Sequence, residues 1–306
     1  MFRQWVAVVA VGLVVATPAP AWNGTGHRII AAIAYDRLKP AARRSVDELI
    51  HRHPDYQAIF LKDAPSDPAR RARWAFMNAS VWPDIIRSDP RFYSEDRSDS
   101  IPTPVLPGFP DMGRHARWHF VNLPFSQDGT RPRQAALPNV VSELERLLKI
   151  VDRPISDPAN PVYALPWILH LVGDIHNPLH TVQRYSREFP NGDQGGNLVF
   201  VDGGRTLHSY WDSLAGPDSA NMGIVEGQVQ QITQLRIEPG SLKPSKWAAE
   251  GAEMANRDVY TFGPQNGSRE RPLILTAPYK ERAKNLYLNK LALAGERLAA
   301  LLNRLF

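Results

Sequence analysis

Cysteine is absent from all 306 residues, so neither a disulfide nor a thiolate metal site is available to this chain. Whatever ties distant segments together uses other chemistry. Long hydrophobic runs are scarce as well. The apolar stretch from Val6 to Ala16 falls short of the roughly 18 residues a spanning helix needs, and no later run reaches that length. Strand-type alternation is nearly missing, and no internal repeat, heptad array or low-complexity linker stands out. What remains, at 43% hydrophobic and 22% charged residues, is an ordinary globular composition with enough apolar material for a sizeable core.

The N-terminus has its own logic. Arg3, the apolar run to Ala16 and the tripeptide Ala19-Pro20-Ala21 have the basic end, hydrophobic centre and small-residue cleavage site of an export leader. Cleavage is expected after Ala21, which leaves Trp22 as the first residue of a periplasmic or extracellular protein without stable membrane association. No protein partner is indicated. The formal charge of +5 falls to +4 when Arg3 leaves. That modest excess is compatible with a polyanionic substrate and equally with a solvated basic surface.

Along the mature chain the pattern is helical. Thr25 is expected to cap a helix through Leu38, and Ala41 to His51 reads as a second. Apolar residues from Trp74 lead to Trp82-Pro83-Asp84, and the proline-rich, charged stretch Ser88 to Gly113 predicts a long loop at the rim of a site. Asn139 to Ile150 and Tyr163 to Ile175 predict helices. Leu198 to Val201, closed by Asp202-Gly203-Gly204, is the one convincing strand signal. Thr206 opens a short helix ended by Gly216-Pro217, and further helices are expected near Asn221 to Thr233, Ser245 to Tyr260 and Ala277 to Leu305. The fold class is mainly α, one domain from Trp22 to Phe306 with a short β-hairpin.

The chemistry lies in histidine and aspartate. His170 and Asp174, four apart on a helix, share a face, and Pro178 ends that helix near Asn177 so that His180 can return to the same point. His208 and Asp212 repeat the spacing of four. His27, His119 and Asp84 complete an inventory in which five of the nine histidines fall in patterned places. Neutral imidazole and carboxylate suit zinc when thiolate is missing. Taken singly, each residue has a plainer use: His27 as a hydrogen bonder at a helix end, His119 as a core residue beside Trp118, Asp84 as a helix cap.

Taken in order, the motifs WNGTGH (Trp22 to His27), WPD (Trp82 to Asp84), WHF (Trp118 to Phe120), His170-x3-Asp174-x5-His180, GGN (Gly195 to Asn197) and LHSYWD (Leu207 to Asp212) resemble the S1/P1 nucleases. These are zinc enzymes related in fold to bacterial zinc phospholipase C. The resemblance runs from Trp22 to the C-terminal helix. It implies a mostly helical fold holding three zinc ions. Asp84, His119, His170 and Asp174 would hold one ion, and His180, His208 and Asp212 a second. The amino group and carbonyl of Trp22, with His27 and Asp174, would hold the third. Asp174 would then bridge two ions, and leader removal would complete the site by freeing the amine.

The implied reaction is hydrolysis of single-stranded DNA and RNA to 5′-phosphorylated products, with 3′-nucleotidase activity. Asn197 would orient a phosphate oxygen; its plainer reading is a left-handed turn or strand-start residue. Phe120 matches a base-stacking position, against the plainer reading of a core phenylalanine. Asn122 departs from the aspartate of fungal members, which bears on base preference and on nucleophile orientation. The lack of cysteine departs from disulfide-bonded eukaryotic relatives. Two rival functions follow the same residues. One is a zinc phospholipase C, against which stand Phe120 and Asp212, since the phospholipases typically use glutamate at the latter position. The other is a zinc reservoir, which has no need of a bridged pair of ions.

Overall fold

The computed structural model describes residues 22–157, 160–218 and 221–306, and the leader expected at residues 1–21 lies outside them. Helix α1 (Gly24–Asp36) is buried on every side and starts at Asn23, whose side chain accepts from the Gly26 amide at 3.1 Å. Thr25 is therefore not the cap. Its hydroxyl donates to the Pro217 carbonyl at 2.9 Å, a long-range contact that local capping rules do not weigh. Asn23 likewise donates through Nδ2 to Gly216 O at 2.6 Å and through its backbone to Asp212 O at 3.2 Å. Residues 23–25 are thus pinned against the segment that follows Asp212.

Helices α2 (Pro40–His51), α3 (Pro68–Ala79) and α4 (Trp82–Ile85) follow. Helix α3 begins earlier than the apolar pattern indicates, because Asp67 accepts from the Arg70 amide and Pro68 sits at the first helical position. The excursion from Ser88 to Gly113 carries no helix or strand, only a bridge between Tyr93 and Gly113. Helix α5 (Val140–Leu147) has the expected Asn139 cap, in a reciprocal box with Ser142. Helix α6 (Pro161–Asp174) is buried from end to end. Helices α7 (Leu207–Asp212), α8 (Met222–Ile232), α9 (Pro244–Met254) and α10 (Ala277–Leu305) complete the helical set, with α10 packed along α1. None of the described helices is long and apolar enough to cross a membrane.

Strands β1 (Leu123–Ser126) and β2 (Val182–Tyr185) pair in parallel, with Leu123 opposite Val182. This pair had no sequence signal: Pro124 interrupts β1, and no alternation marks it. Its partner is set by tertiary packing. The ladder extends backward through Val121 N to His180 O at 2.8 Å and Leu123 N to Thr181 O at 3.1 Å, which holds residues 120–122 beside His180. Strands β3 (Phe200–Val201) and β4 (Arg205–Thr206) form the expected hairpin around Gly203 and Gly204, both at positive φ. A large apolar core lies around α1, α3, α6 and α10, and a second cluster, including Leu179, Val201, Leu207 and Trp211, lies beneath the hairpin. Helices α6 and α7 draw on different clusters and carry the His/Asp pairs.

Candidate metal centre

At the C-terminal end of α6, His170 Nδ1 donates to the Ser80 carbonyl at 2.8 Å. A carbonyl only accepts, so the proton is fixed on Nδ1 and Nε2 is directed at its neighbours. That Nε2 lies 3.0 Å from His119 Nδ1 and 3.3 Å from Asp174 Oδ2, with Asp84 Oδ1 at 3.8 Å. His119 Nδ1 is also 3.0 Å from Asp174 Oδ2. The other carboxylate oxygen of Asp174 faces His27 Nε2 at 3.3 Å. One carboxylate therefore presents its two oxygens to different sets of histidines. Burial works against ionising Asp174, but the neighbouring imidazoles, His170 foremost and then His119 and His27, hold its pKa well below the usual carboxylate range.

His27 reaches this point because α1 and α6 touch at Gly173, where a Cβ would lie 2.7 Å from His27 Nδ1. Glycine is required there. Trp22, fully buried, donates through Nε1 to the Gly173 carbonyl at 3.0 Å, which places its indole at the residue that touches His27 and precedes Asp174. The His27 ring also stacks on that of His170, with centroids 3.9 Å apart.

The second group is simpler. His180 Nδ1 donates to His119 O at 2.7 Å, and His208 Nδ1 donates to Gly195 O at 2.7 Å. Both rings then carry their proton on Nδ1, and their two Nε2 lone pairs face each other at 3.0 Å. Asp212 Oδ2 lies 3.5 Å from His208 Nε2, and Asn177 donates to Oδ1 at 2.9 Å. Burial lowers the His180 pKa to about 3, helped by the charge of His208, and burial lowers that of His208 to about 4. Burial raises Asp212 well above the usual carboxylate range, with Asp84 and Asp174 adding to the effect.

Two opposed lone pairs without a proton between them need a cation. The same holds for buried atoms with no hydrogen-bond partner among the described residues: both nitrogens of His27, Asp174 Oδ1 and Asp212 Oδ2. Three groups have ligand atoms all within 4.8 Å: His27, Asp84 and His170; His119, His170 and Asp174; His180, His208 and Asp212. Every donor is nitrogen or oxygen, and carbonyls orient the outer nitrogens of His170, His180 and His208, as expected around zinc.

Arg87 was missed by sequence reasoning, although WPDIIR places it three residues after Asp84 on one helical face. It pairs with Asp84 at 3.2 Å, and its charge acts on His119, His180, His208 and Asp212 as well. Phe120 and Asn122, two apart on extended chain, share a face and line a cavity of about 270 Å³, while Val121 between them is buried. Phe120 is half-buried rather than a core residue. Asn197 is neither left-handed nor in a strand. The positive φ values fall on Gln194, Gly195 and Gly196, and Asn197 Nδ2 donates to Gln194 O at 2.9 Å.

The turn Ala116–His119, which delivers His119, starts at His115 in left-handed backbone. The His115 ring stacks on Trp118 at 3.7 Å and 2°. Its Nδ1 is 2.6 Å from Glu95 and its Nε2 2.9 Å from Asp111, so both nitrogens donate and the ring is an imidazolium. Burial opposes that charge, but Asp111 and Glu95 outweigh it and raise the pKa. A raised folded pKa gives stability that is fully present below the ordinary imidazole value near 6.5 and is lost as pH rises through the folded value. The Tm difference between wild type and His115→Gln is therefore expected to be largest near pH 6 and to shrink by pH 9. A difference that does not vary with pH would show that the ring acts by packing alone.

The family model described as S1/P1 Nuclease matches residues 22–306. Endonuclease 2 of Arabidopsis thaliana is 26% identical over 321 residues, which cover 98% of this chain and 96% of that protein. With the family match spanning every residue of the His/Asp groups, the chain belongs to the S1/P1 nuclease family, hydrolases that act on nucleic acid.

Proposed function

We propose that this nuclease is an exported zinc enzyme that hydrolyses single-stranded DNA and RNA to 5′-phosphorylated products and also removes phosphate from 3′-nucleotides. The observation that carries the reading is the set of three adjoining His/Asp groups, in one of which the Nε2 lone pairs of His180 and His208 face each other. Asp84, His119, His170 and Asp174 would hold one zinc, and His180, His208 and Asp212 a second. His27, Asp174 and the terminal amine and carbonyl of Trp22 would hold a third. Zinc at these positions supplies Lewis acidity, lowering the pKa of water and polarising the phosphate.

The chain's own residues do the rest. Arg87, ion-paired to Asp84 and facing the centre, would neutralise charge that builds on the phosphate oxygens. Asn197 sits beside Gly195 and Gly196, whose left-handed backbone turns the loop toward His208, where a side-chain amide can orient a phosphate. Phe120 offers a ring face at the cavity mouth. An unpaired base can reach it, whereas a duplex keeps its bases stacked, which favours single strands. Export would follow from the leader ending at Ala21, with the mature chain in the periplasm or outside the cell.

The test is turnover by zinc-loaded mature protein on a single strand, the matching duplex, a 3′-nucleotide and phosphatidylcholine. The first and third are expected to be cleaved, the duplex more slowly, and the lipid not at all; head-group release would replace this reading with a phospholipase. Phe120→Ala is expected to weaken single-strand binding by about 1–3 kcal/mol with zinc content unchanged. Unchanged affinity in a folded variant would remove Phe120 from the base site.

A further inference from the structure

The cavity beside Phe120 has a lopsided polar lining. Arg117, Phe120, Asn122, Ala136, Pro138 and Asn139 enclose it. The Asn139 amide is committed: Oδ1 accepts from Val141 N at 3.0 Å and Ser142 N at 3.2 Å, and Nδ2 donates to Ala136 O at 2.9 Å. Arg117 is engaged only through Nε, 2.7 Å from Asp96 Oδ1, so its two terminal nitrogens have no hydrogen-bond partner among the described residues. The Asn122 amide has none either. Glu95 and Asp96 line an adjoining cavity that shares Arg117 and Pro138 with this one. No carboxylate lines the cavity beside Phe120.

The available edge is therefore rich in donors. A guanidinium fork matches the paired O6 and N7 acceptors of guanine, whereas adenine presents an amino group where guanine has O6, setting donor against donor. Uracil and thymine also offer an exocyclic oxygen, and cytosine an amino group. We propose that this cavity selects bases with an exocyclic oxygen, guanine foremost, over adenine and cytosine. Arg117 is the specificity-determining residue, and Asn122 turns its amide to serve the remaining edge. The inference rests on the reading that Phe120 stacks the base next to the scissile phosphate.

The experiment compares kcat/KM for 3′-GMP, 3′-AMP, 3′-UMP and 3′-CMP on the zinc-saturated enzyme, with calorimetric binding of 5′-GMP and 5′-AMP as a second readout. The wild-type guanine-to-adenine ratio is expected to be on the order of ten- to 100-fold, the worth of one bidentate contact. Arg117→Ala should bring the ratio close to unity. Arg117→Lys should do the same while keeping the charge, because lysine lacks the fork. Asp96→Asn, which removes only the outer partner of Arg117, should keep the wild-type ratio. Turnover without base preference, or a ratio that survives both Arg117 variants, overturns this inference alone. Absence of turnover on every 3′-nucleotide and single strand overturns it together with the reading beneath it.

Discussion

Removing metal with a chelator is expected to abolish hydrolysis and to lower Tm by more than about 10 °C. A site whose free ion stands 1,000-fold above its dissociation constant contributes about 4 kcal/mol, and for a chain of this size each kcal/mol is about 2 °C, so the loss of several sites adds up. The structural cause is specific. Without a cation, His180 and His208 oppose their Nε2 lone pairs at 3.0 Å, and Asp174 Oδ1 and Asp212 Oδ2 stay buried without hydrogen-bond partners among the described residues. The ligands come from α1, α4, α6, α7 and two turns, so a bound ion ties segments that a disulfide cannot, this chain having no cysteine.

Acid is expected to deepen the loss in the metal-free protein. Burial lowers the pKa of His119 and His208 to about 4 and of His180 to about 3. Imidazoles depressed on folding bind protons more readily in the unfolded chain. Stability is then retained above the ordinary value near 6.5 and lost as pH falls toward 4. The check is a series of melts from pH 8 to pH 4 with and without chelator, alongside elemental analysis. Full activity in protein shown to be free of metal would end the metal mechanism.

Most of the helical frame could be read from the sequence because its signals are local. The last helix runs from Ala277 to Leu305, as its periodic apolar residues indicate, and Thr206 caps α7, its hydroxyl accepting from Ser209 N. The parallel pair β1–β2 could not be read, since its register is fixed by packing between segments about sixty residues apart and Pro124 masks the strand. The same limit governed the start of α1. Asn23 and Thr25 are both competent caps, and contacts to Gly216 and Pro217 decide between them.

At the site, spacing of four along a helix made His170 with Asp174 and His208 with Asp212 visible as pairs. That His180 faces His208, or that His27 reaches Asp174 through the gap at Gly173, depends on how distant elements pack. Arg87 escaped notice for a different reason: an arginine three residues after an aspartate is common on any helix, and only the buried surroundings give it meaning. The left-handed turn that was the plainer reading of Asn197 falls instead on the three residues before it.

An extra residue before Trp22 is expected to lower zinc content by about one ion per chain and to reduce turnover at saturating substrate by at least about 10–100-fold, the cost of disturbing even the outer partners of a metal site. Trp22 is fully buried, its indole bonded to Gly173 O, and Asn23 N donates to Asp212 O. The residue that would carry the terminal amine is thus fastened between α6, at the residue before Asp174, and α7. A free amine there offers a lone pair. An amide does not, because its lone pair is delocalised into the carbonyl. His27 makes the test specific, since both of its ring nitrogens are buried without a hydrogen-bond partner among the described residues. The side-chain groups formed by Asp84, His119 and His170 and by His180, His208 and Asp212 are untouched by the extension and should load normally. Mass spectrometry would establish the N-terminus of each preparation, elemental analysis the ions per chain, and a melt the loss of one stabilising contact rather than all. Equal zinc content and equal turnover in extended and mature chains would show that Trp22 serves only to anchor α1, even if every side-chain ligand assigned here holds.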